Sequence, residues 1–318
     1  MRLVRLSVLA LASLLATRCG AATISEKFSS DPLEHGWQVF GNTNLFQWDS
    51  TNRNLAVTWD SSQPNSYFYH PLGATFTKTD SFCVQFDLQL SDATAFGYGN
   101  ELAIGLLHFS DATNTAFSRA LGSSPNLFEF DYFPAVDYQG QSYPASIDAT
   151  LKDAQPRYAG LYFVYDNLKL NSGVTCRVVL IHRAGEAVIT GVVYTNGQVF
   201  TLLPVVADYG PVGDFQLDTL SISSYADDGY GNSILAHGTV ANLAFASPLP
   251  VSAVNACAAG QVQFTSDTKW LYTLEQSADL KTWTPAAPAS SGSGTNLLLQ
   301  ATNAPTSTAF YRIRADLP

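Results

Sequence analysis

Hydrophobic positions along this chain recur at every second residue, and the breaks between runs are filled by Gly, Asn, Asp, Ser and Pro. Period two marks a strand with one packed and one wet face, whereas a helix repeats near 3.6. Phe82, Val84, Phe86, Leu88 and Leu90 fall on one face of such a run, and Cys83, Gln85, Asp87 and Gln89 on the other. That predicts an antiparallel strand solvated on one side. Residues 174–182 and 187–194 flank Arg183-Ala184-Gly185-Glu186 as a hairpin, and Asn196-Gly197 turns the chain again into residues 199–203. Further strands are expected at 37–40, 45–48, 54–59, 66–70, 101–107, 126–133, 159–165, 214–224 and 232–246. Helical spacing is scarce, and residues 111–121 are the one place for a helical turn.

About a dozen strands without βαβ alternation predict an all-β fold of two packed antiparallel sheets, with a closed barrel as the alternative. Ser247-Pro248-Leu249-Pro250 breaks the pattern, because two prolines in four residues cannot sit in a central strand. The expected organisation is a β-sandwich over 23–247, a linker at 248–257 and a small β-module at 258–318. Strands of that module are expected at 261–264, 271–276, 297–301 and 310–314.

Composition narrows the function. Of 318 residues, 46% are hydrophobic and only 13% charged, with 19 Phe, 15 Tyr and 5 Trp, so the chain can bury a core and is not disordered. The net charge of −10 with only 16 Lys and Arg lacks the basic footprint that nucleic acid requires. Arg2 and Arg5, an apolar run at 6–16 and Gly20-Ala21-Ala22 read as a cleaved signal peptide at 1–22. That implies a secreted, cell-surface or periplasmic protein, and no later run is long enough for a transmembrane helix. Arg18 sits where a lipidation site at Cys19 would need a small residue. Export permits disulfides among Cys83, Cys176 and Cys257. Cys83 and Cys176 fall in strands and are candidates to pair; three free thiols are the alternative. Their spacing fits no zinc motif, and the histidines show no ligand spacing.

The chemistry concentrates in Asn126-Leu-Phe-Glu129-Phe-Asp131-Tyr-Phe133-Pro134. Glu129 and Asp131 are two apart, so they share a strand face about 7 Å from one another. Side-by-side carboxylates need a cation, a proton or a basic partner. Calcium or manganese would suit them, as would acid/base hydrolysis of a glycoside. A salt-bridged strand face is the plainer alternative, with Arg119 and Arg157 as partners. The segment Tyr225-Ala-Asp227-Asp228-Gly-Tyr230-Gly-Asn232 offers acids for a cation or glycan and two rings for sugar stacking; an ordinary turn is its alternative. Trp37, Trp48 and Trp59, one per short strand, read as core, with sugar stacking as the alternative. No nucleophile elbow, phosphate-binding loop or dinucleotide fingerprint occurs.

The run Glu129-Phe-Asp131-Tyr-Phe133-Pro134, with Asp137, Ser142-Tyr143-Pro144 and Ile147-Asp148, resembles the metal-binding strand and loop of legume-type lectins. The flanking order agrees: Gly99-Asn100-Glu101 and an apolar strand precede it, and two late strands enclose residues 225–232. The resemblance implies a concanavalin-A-like lectin/glucanase jelly roll over 23–247. It implies metal ligation by Glu129 and Asp131 with Asp137 as a substitute ligand, and ligand binding by Asn100, Glu101, Tyr225, Asp227, Asp228, Tyr230 and Asn232. Ala135, Gly140 and Ala145 replace other ligands of the lectin pattern, so the full two-metal site is not expected. In the related laminarinase-like hydrolases, Glu129 and Asp131 match the first two catalytic places, but Phe133 takes that of the acid, for which Asp87 is a remote substitute. The Glu-Phe-Asp-Tyr-Phe-Pro strand and the Ile234-Leu-Ala-His-Gly238 ending are similar to a group of secreted bacterial proteins without an assigned activity. The run Tyr272-Thr-Leu-Glu-Gln-Ser-Ala-Asp-Leu-Lys-Thr-Trp283 with Phe310-Tyr-Arg-Ile-Arg314 resembles a small verrucomicrobial-type C-terminal module. The expected function is non-catalytic binding of a glycan or surface ligand, either without a cofactor or assisted by one calcium ion. A glycoside hydrolase using Glu129 and Asp131 and a structural envelope or matrix protein are the alternatives.

Overall fold

The computed structural model describes residues 22–97, 101–119, 124–155, 158–159, 168–187, 189–202, 212–227, 233–247, 254–258, 260–266, 268, 270–278, 282–302 and 309–316. The chain divides into two compact units, one spanning Gly20–Ser247 and one from Pro248 onward.

The strands of the first unit are, in chain order, β1 (Ala22–Glu26), β2 (Gln38–Phe40), β3 (Phe46–Asp49), β4 (Asn54–Asp60), β5 (Ser66–Phe76) and β6 (Phe82–Phe96). They continue with β7 (Leu102–Leu107), β8 (Leu127–Phe133), β9 (Val136–Tyr138), β10 (Gln141–Tyr143), β11 (Ser146–Lys152) and β12 (Tyr158–Ala159). The last are β13 (Thr175–His182), β14 (Ile189–Thr195), β15 (Gln198–Leu202), β16 (Leu217–Ser224) and β17 (Ser233–Ser247). One helical turn, α1 (Phe109–Ala112), follows β7. An eight-stranded sheet runs β15-β14-β13-β6-β17-β4-β3, with β1 added on β17; a seven-stranded sheet runs β12-β11-β8-β7-β16-β5-β2. All these pairings are antiparallel, and the fold is an all-β sandwich with two separate sheets rather than a closed barrel.

Alternation decides which side chains meet between the sheets. Phe82, Val84, Phe86, Leu88 and Leu90 are buried, while Gln85, Asp87 and Gln89 on the opposite face are half-buried. Phe86 meets Phe130 of β8 edge to face, with centroids 5.6 Å apart. Trp37 stacks on Phe68 at 4.9 Å, and Trp59 is fully buried, so both act as core. A ring burying about 150–250 Å² contributes a few kcal/mol wherever it is enclosed. β1 returns alongside the end of β17, with Ala22 opposite Ser247 and Glu26 opposite Leu243.

Four expectations change. Cys83 and Cys176 are both buried free thiols. They sit on adjacent strands but out of step: Cys83 lies opposite Ile181 and Cys176 opposite Leu88, so no disulfide can span them. Burial pushes the Cys83 thiol up to about 12, which keeps it unreactive. β5 and β6 run well beyond the expected 66–70 and 82–90, and the helical turn starts at Phe109. β11 is an additional strand; its outward residues Asp148, Thr150 and Lys152 disguise a segment that is buried on both faces.

In the second unit, β18 (Val254–Ala258) pairs β19 (Gln261–Thr265), which pairs β23 (Asn296–Gln300). β20 (Leu271–Ser277) pairs β21 (Thr284–Pro285), β22 (Ser290–Ser291) and β24 (Phe310–Asp316). β18 therefore takes up the last part of the expected linker at 248–257. Phe264 and Tyr272 meet at 4.8 Å in its core, and Glu275 is held by Arg312 at 2.7 Å and Arg314 at 2.6 Å.

Candidate functional site

β8 lies inside the seven-stranded sheet between β7 and β11. Phe128, Phe130 and Tyr132 enter the sandwich core, so Leu127, Glu129 and Asp131 face outward, as the spacing predicts. Register then sets their neighbours. Thr150 lies opposite Glu129 and Asp148 opposite Asp131 on β11; Gly105 lies opposite Glu129 and Ala103 opposite Asp131 on β7. The β7 neighbours are small for a reason. A Cβ on Gly105 would come within 2.1 Å of the Phe128 carbonyl oxygen and 2.7 Å of the Glu129 Cα.

This face is covered. The described parts of the connection from β7 to β8, residues 108–119 and 124–126, fold back over it. Phe117, Ala112 and Phe109 pack with Tyr67, Tyr69, Leu107, Leu127 and Tyr225 in a second apolar cluster. The foot of the strap is pinned: His108 Nδ1 meets Asp111 at 2.9 Å, Asn126 Nδ2 donates to Asp111 at 2.7 Å, and the Phe109 amide donates to Asp218 at 2.9 Å. The Tyr67 hydroxyl donates to the Ala112 carbonyl at 2.9 Å.

Arg119 is carried by this strap into the acids. Its Nε lies 3.2 Å from Glu129 Oε2 and 3.3 Å from Glu101 Oε1, and its Nη2 lies 2.5 Å from Asp131 Oδ2. The Tyr225 hydroxyl donates to Glu129 Oε1, and the Thr150 hydroxyl donates to Asp131 Oδ2 at 2.5 Å. Lys152 Nζ donates to Ser124 Oγ at 2.6 Å. Glu101, Arg119, Glu129, Asp131, Asp148, Thr150 and Lys152 are all buried. Asp131 and Asp148 each leave an Oδ1 without a hydrogen-bond partner, and Glu101 Oε1 is near Arg119 without a hydrogen bond to it.

With four acids against two bases in a buried layer, Glu101, Glu129 and Asp148 hold their protons more tightly. Burial, reinforced by the Asp131 charge, raises Glu129 to about 7 despite Arg119 and Tyr225. Burial raises Glu101 to about 7 as well, with Arg119 opposing and Asp131 adding to the shift. Asp148 is held well above the carboxylate range by burial and by Asp131. Burial and the Arg119 charge lower Lys152 to about 7. Burial also works against the Arg119 charge, but Asp131, Glu101 and Glu129 outweigh it and keep the guanidinium protonated. For Asp148 and Glu101, whose carboxyls are raised, protonation lowers the cost of burying an oxygen without a partner, since a neutral acid costs far less to bury than an anion.

Such a layer is a poor fit for the expected metal. The guanidinium supplies the positive charge beside Glu129 and Asp131 that a divalent ion would bring, and calcium needs six to eight oxygens. Asp137 is on the exposed β9–β10 hairpin, bonded to the Ser142 hydroxyl, and does not join the other two. Among the described residues no three His, Cys, Asp or Glu side chains form a metal-holding group. The hydrolytic reading meets the same obstacle, because substrate cannot reach acids under Phe117 and Tyr225. Asp87 cannot serve as its remote acid: it faces outward on the other sheet, bound to Arg177 at 2.8 Å and Asn242 at 2.7 Å.

The remaining expected residues separate. Glu101 and Tyr225, expected at the ligand surface, are buried against Arg119 and Glu129. Asp227 is exposed, with its amide donating to the Ser61 carbonyl at 2.8 Å. Asn100, Asp228, Tyr230, Asn232 and Arg157 lie outside the described residues.

A second region carries open side chains that no sequence pattern marks. Beyond Leu90, β6 runs on beside the start of β17, with Phe96 opposite Ser233, Thr94 opposite Leu235 and Asp92 opposite His237. Ile234 and Ala236 turn inward to the core. Phe96 and Leu235 turn outward and are 64% and 44% exposed. The Tyr138 ring meets Phe96 edge to face at 6.4 Å, and Asp92 Oδ1 lies 2.8 Å from His237 Nδ1.

No known family matches the sequence, and no curated protein matches it. Among solved structures, the chain is similar to a peanut lectin, at 11% identity over 71% of this chain and 99% of that one, with a TM-score of 0.43. It is similar to the Lotus tetragonolobus seed lectin at 11% identity over 72% and 100%, with a TM-score of 0.40. A Bauhinia forficata lectin in complex with GalNAc gives 12% identity over 71% and 98%, with a TM-score of 0.41.

Proposed function

We propose that this protein is an exported β-sandwich that binds a glycan on its open surface, without a metal ion and without hydrolysing it. The observation that carries the metal-free, non-catalytic part is the Arg119 guanidinium, carried by the 108–119 strap and lodged among Glu101, Glu129 and Asp131. The acids that would ligate calcium or attack a glycoside are instead an internal part of the scaffold. Export follows from the leader-like segment at 1–22. The glycan part is supported by the open aromatic side chains on a surface poor in lysine and arginine, since a ring beside polar groups is what sugar stacking uses.

The test is affinity electrophoresis of the protein in gels cast with soluble polysaccharides, with and without EDTA, beside an assay for released reducing ends. Retardation that EDTA leaves unchanged, with no sugar released, is the expected result. Retardation abolished by EDTA would overturn the metal-free reading. Sugar release that disappears in Glu129→Gln would overturn the non-catalytic one.

A further inference from the structure

At one end of the eight-stranded sheet, the outward face carries two exposed apolar side chains, Phe96 and Leu235. Phe96, Thr94 and Asp92 of β6 share one face with Ser233, Leu235 and His237 of β17, because directly opposed residues of an antiparallel pair point the same way. β4 extends this face with Asp60 opposite Leu235 and Thr58 opposite His237. The inward side of the same segments is locked by Ile234, Ala236 and Trp59 in the core. The outward side chains therefore stand on rigid backbone, and little ordering is needed before they can hold a ligand. Phe96 is the most exposed large apolar side chain among the described residues. Tyr138 braces its edge.

We propose that this face, from Phe96 through Leu235 to the Asp92–His237 pair, is a binding surface for a neutral pyranose chain lying along the strands. The inference rests on the glycan-binding reading above and gives it a place. Three features select this ligand chemistry. An exposed ring beside a leucine offers the apolar contact that the C–H face of a sugar needs. Thr58, Asp60, Asp92, Thr94, Ser233 and His237 surround it with donors and acceptors for hydroxyls. These described positions include two aspartates and neither Lys nor Arg, so a uronic or sulfated polymer would be repelled. From Phe96 to Asp92 the strand covers roughly 13 Å, enough for more than one sugar ring. A protein partner is disfavoured, because two large apolar side chains interrupted by polar ones do not make the continuous apolar core of a stable interface.

The experiment uses the full chain and measures retardation by β-glucan, mannan, xylan and galactan, with polygalacturonate as the anionic control. The variants are Phe96→Ala and Leu235→Ser, each checked by melting temperature, and sedimentation velocity records the oligomeric state. The expected result is retardation by at least one neutral polymer and none by polygalacturonate, with affinity falling about tenfold in Phe96→Ala at an unchanged melting temperature. Undiminished retardation in both variants would overturn this surface and leave glycan binding intact elsewhere. No retardation of the wild type by any neutral polymer would overturn both. A dimer that dissociates on Phe96→Ala, with no sugar bound, would assign the surface to a second copy of the chain and overturn the proposal.

Discussion

The outward faces of the two sheets contrast where strands leave the core pattern. On the seven-stranded sheet, the outward positions of β8 and β11 carry Glu129, Asp131, Asp148, Thr150 and Lys152, a set that would be at ease in water, yet all five are buried. On the eight-stranded sheet, the outward positions of β6 and β17 carry Phe96 and Leu235, a pair that would be at ease in a core, yet both are open. Strand alternation fixes which way a side chain points and says nothing of what lies over it. The cover comes from residues 108–119, which bring their own arginine and rings to the acids.

Arg119→Met attacks the covered face most directly. It leaves Glu129 and Asp131 buried without their cation, and a loss of about 3–5 kcal/mol is expected in urea unfolding at pH 7. The deficit should shrink at pH 5, where Glu129 is protonated and needs no cation; a deficit of equal size at both pH values would show that the arginine acts through packing alone. Gly105→Ala places a methyl into the Phe128 carbonyl and the Glu129 backbone. A cost of at least about 1–3 kcal/mol should appear as a lower denaturation midpoint. A neutral result would mean that β7 and β8 leave room for a side chain between them.

The pH dependence follows from the raised carboxyls. Glu101 and Glu129 hold protons up to about 7 in the native state, whereas the unfolded chain releases them near 4.3. The native state thus binds more protons across that window. Its stability is fully present below the unfolded value and declines as pH rises toward about 7, by about 1.4 kcal/mol per pH unit for each extra proton held. Lys152, lowered to about 7, works in the opposite sense above that pH, where the unfolded chain keeps the proton longer. Melting temperatures at pH 5, 6 and 7 should fall in that order, less steeply in Glu129→Gln. The smallest effect belongs to the open face: Phe96→Ala should change unfolding stability by no more than about 0.5 kcal/mol. A larger loss would place that ring in the packing after all and erase the contrast.

Much of this architecture is legible in the amino-acid pattern itself. The alternation at 82–90 marks the core side of β6, and the spacing of Glu129 and Asp131 places both acids on one face. Their neutralisation by Arg119 is there too, as the plainer alternative. The choice between it and a metal is not legible, because Arg119 sits ten and twelve residues away in a segment without period. Tyr225 illustrates the same limit: an aromatic in a connection can stack on a ligand or seal an acid, and only the fold decides. β11 escapes detection because Asp148, Thr150 and Lys152 imitate a solvated loop, and Phe96 because one apolar residue ahead of a glycine carries no pattern of its own.

The pairing of Thr23 with Ala246 has a mechanical consequence. Both ends of the exported sandwich leave from the same end of one antiparallel ribbon, so tension applied between them loads the Thr23–Ala246 pair first. The hydrogen bonds of β1 would then part in succession, as in a zipper, instead of bearing the force together in shear. The unit would yield at that seam under low tension while its aromatic interior stays closed, and the peeled segment could rejoin when the load is released.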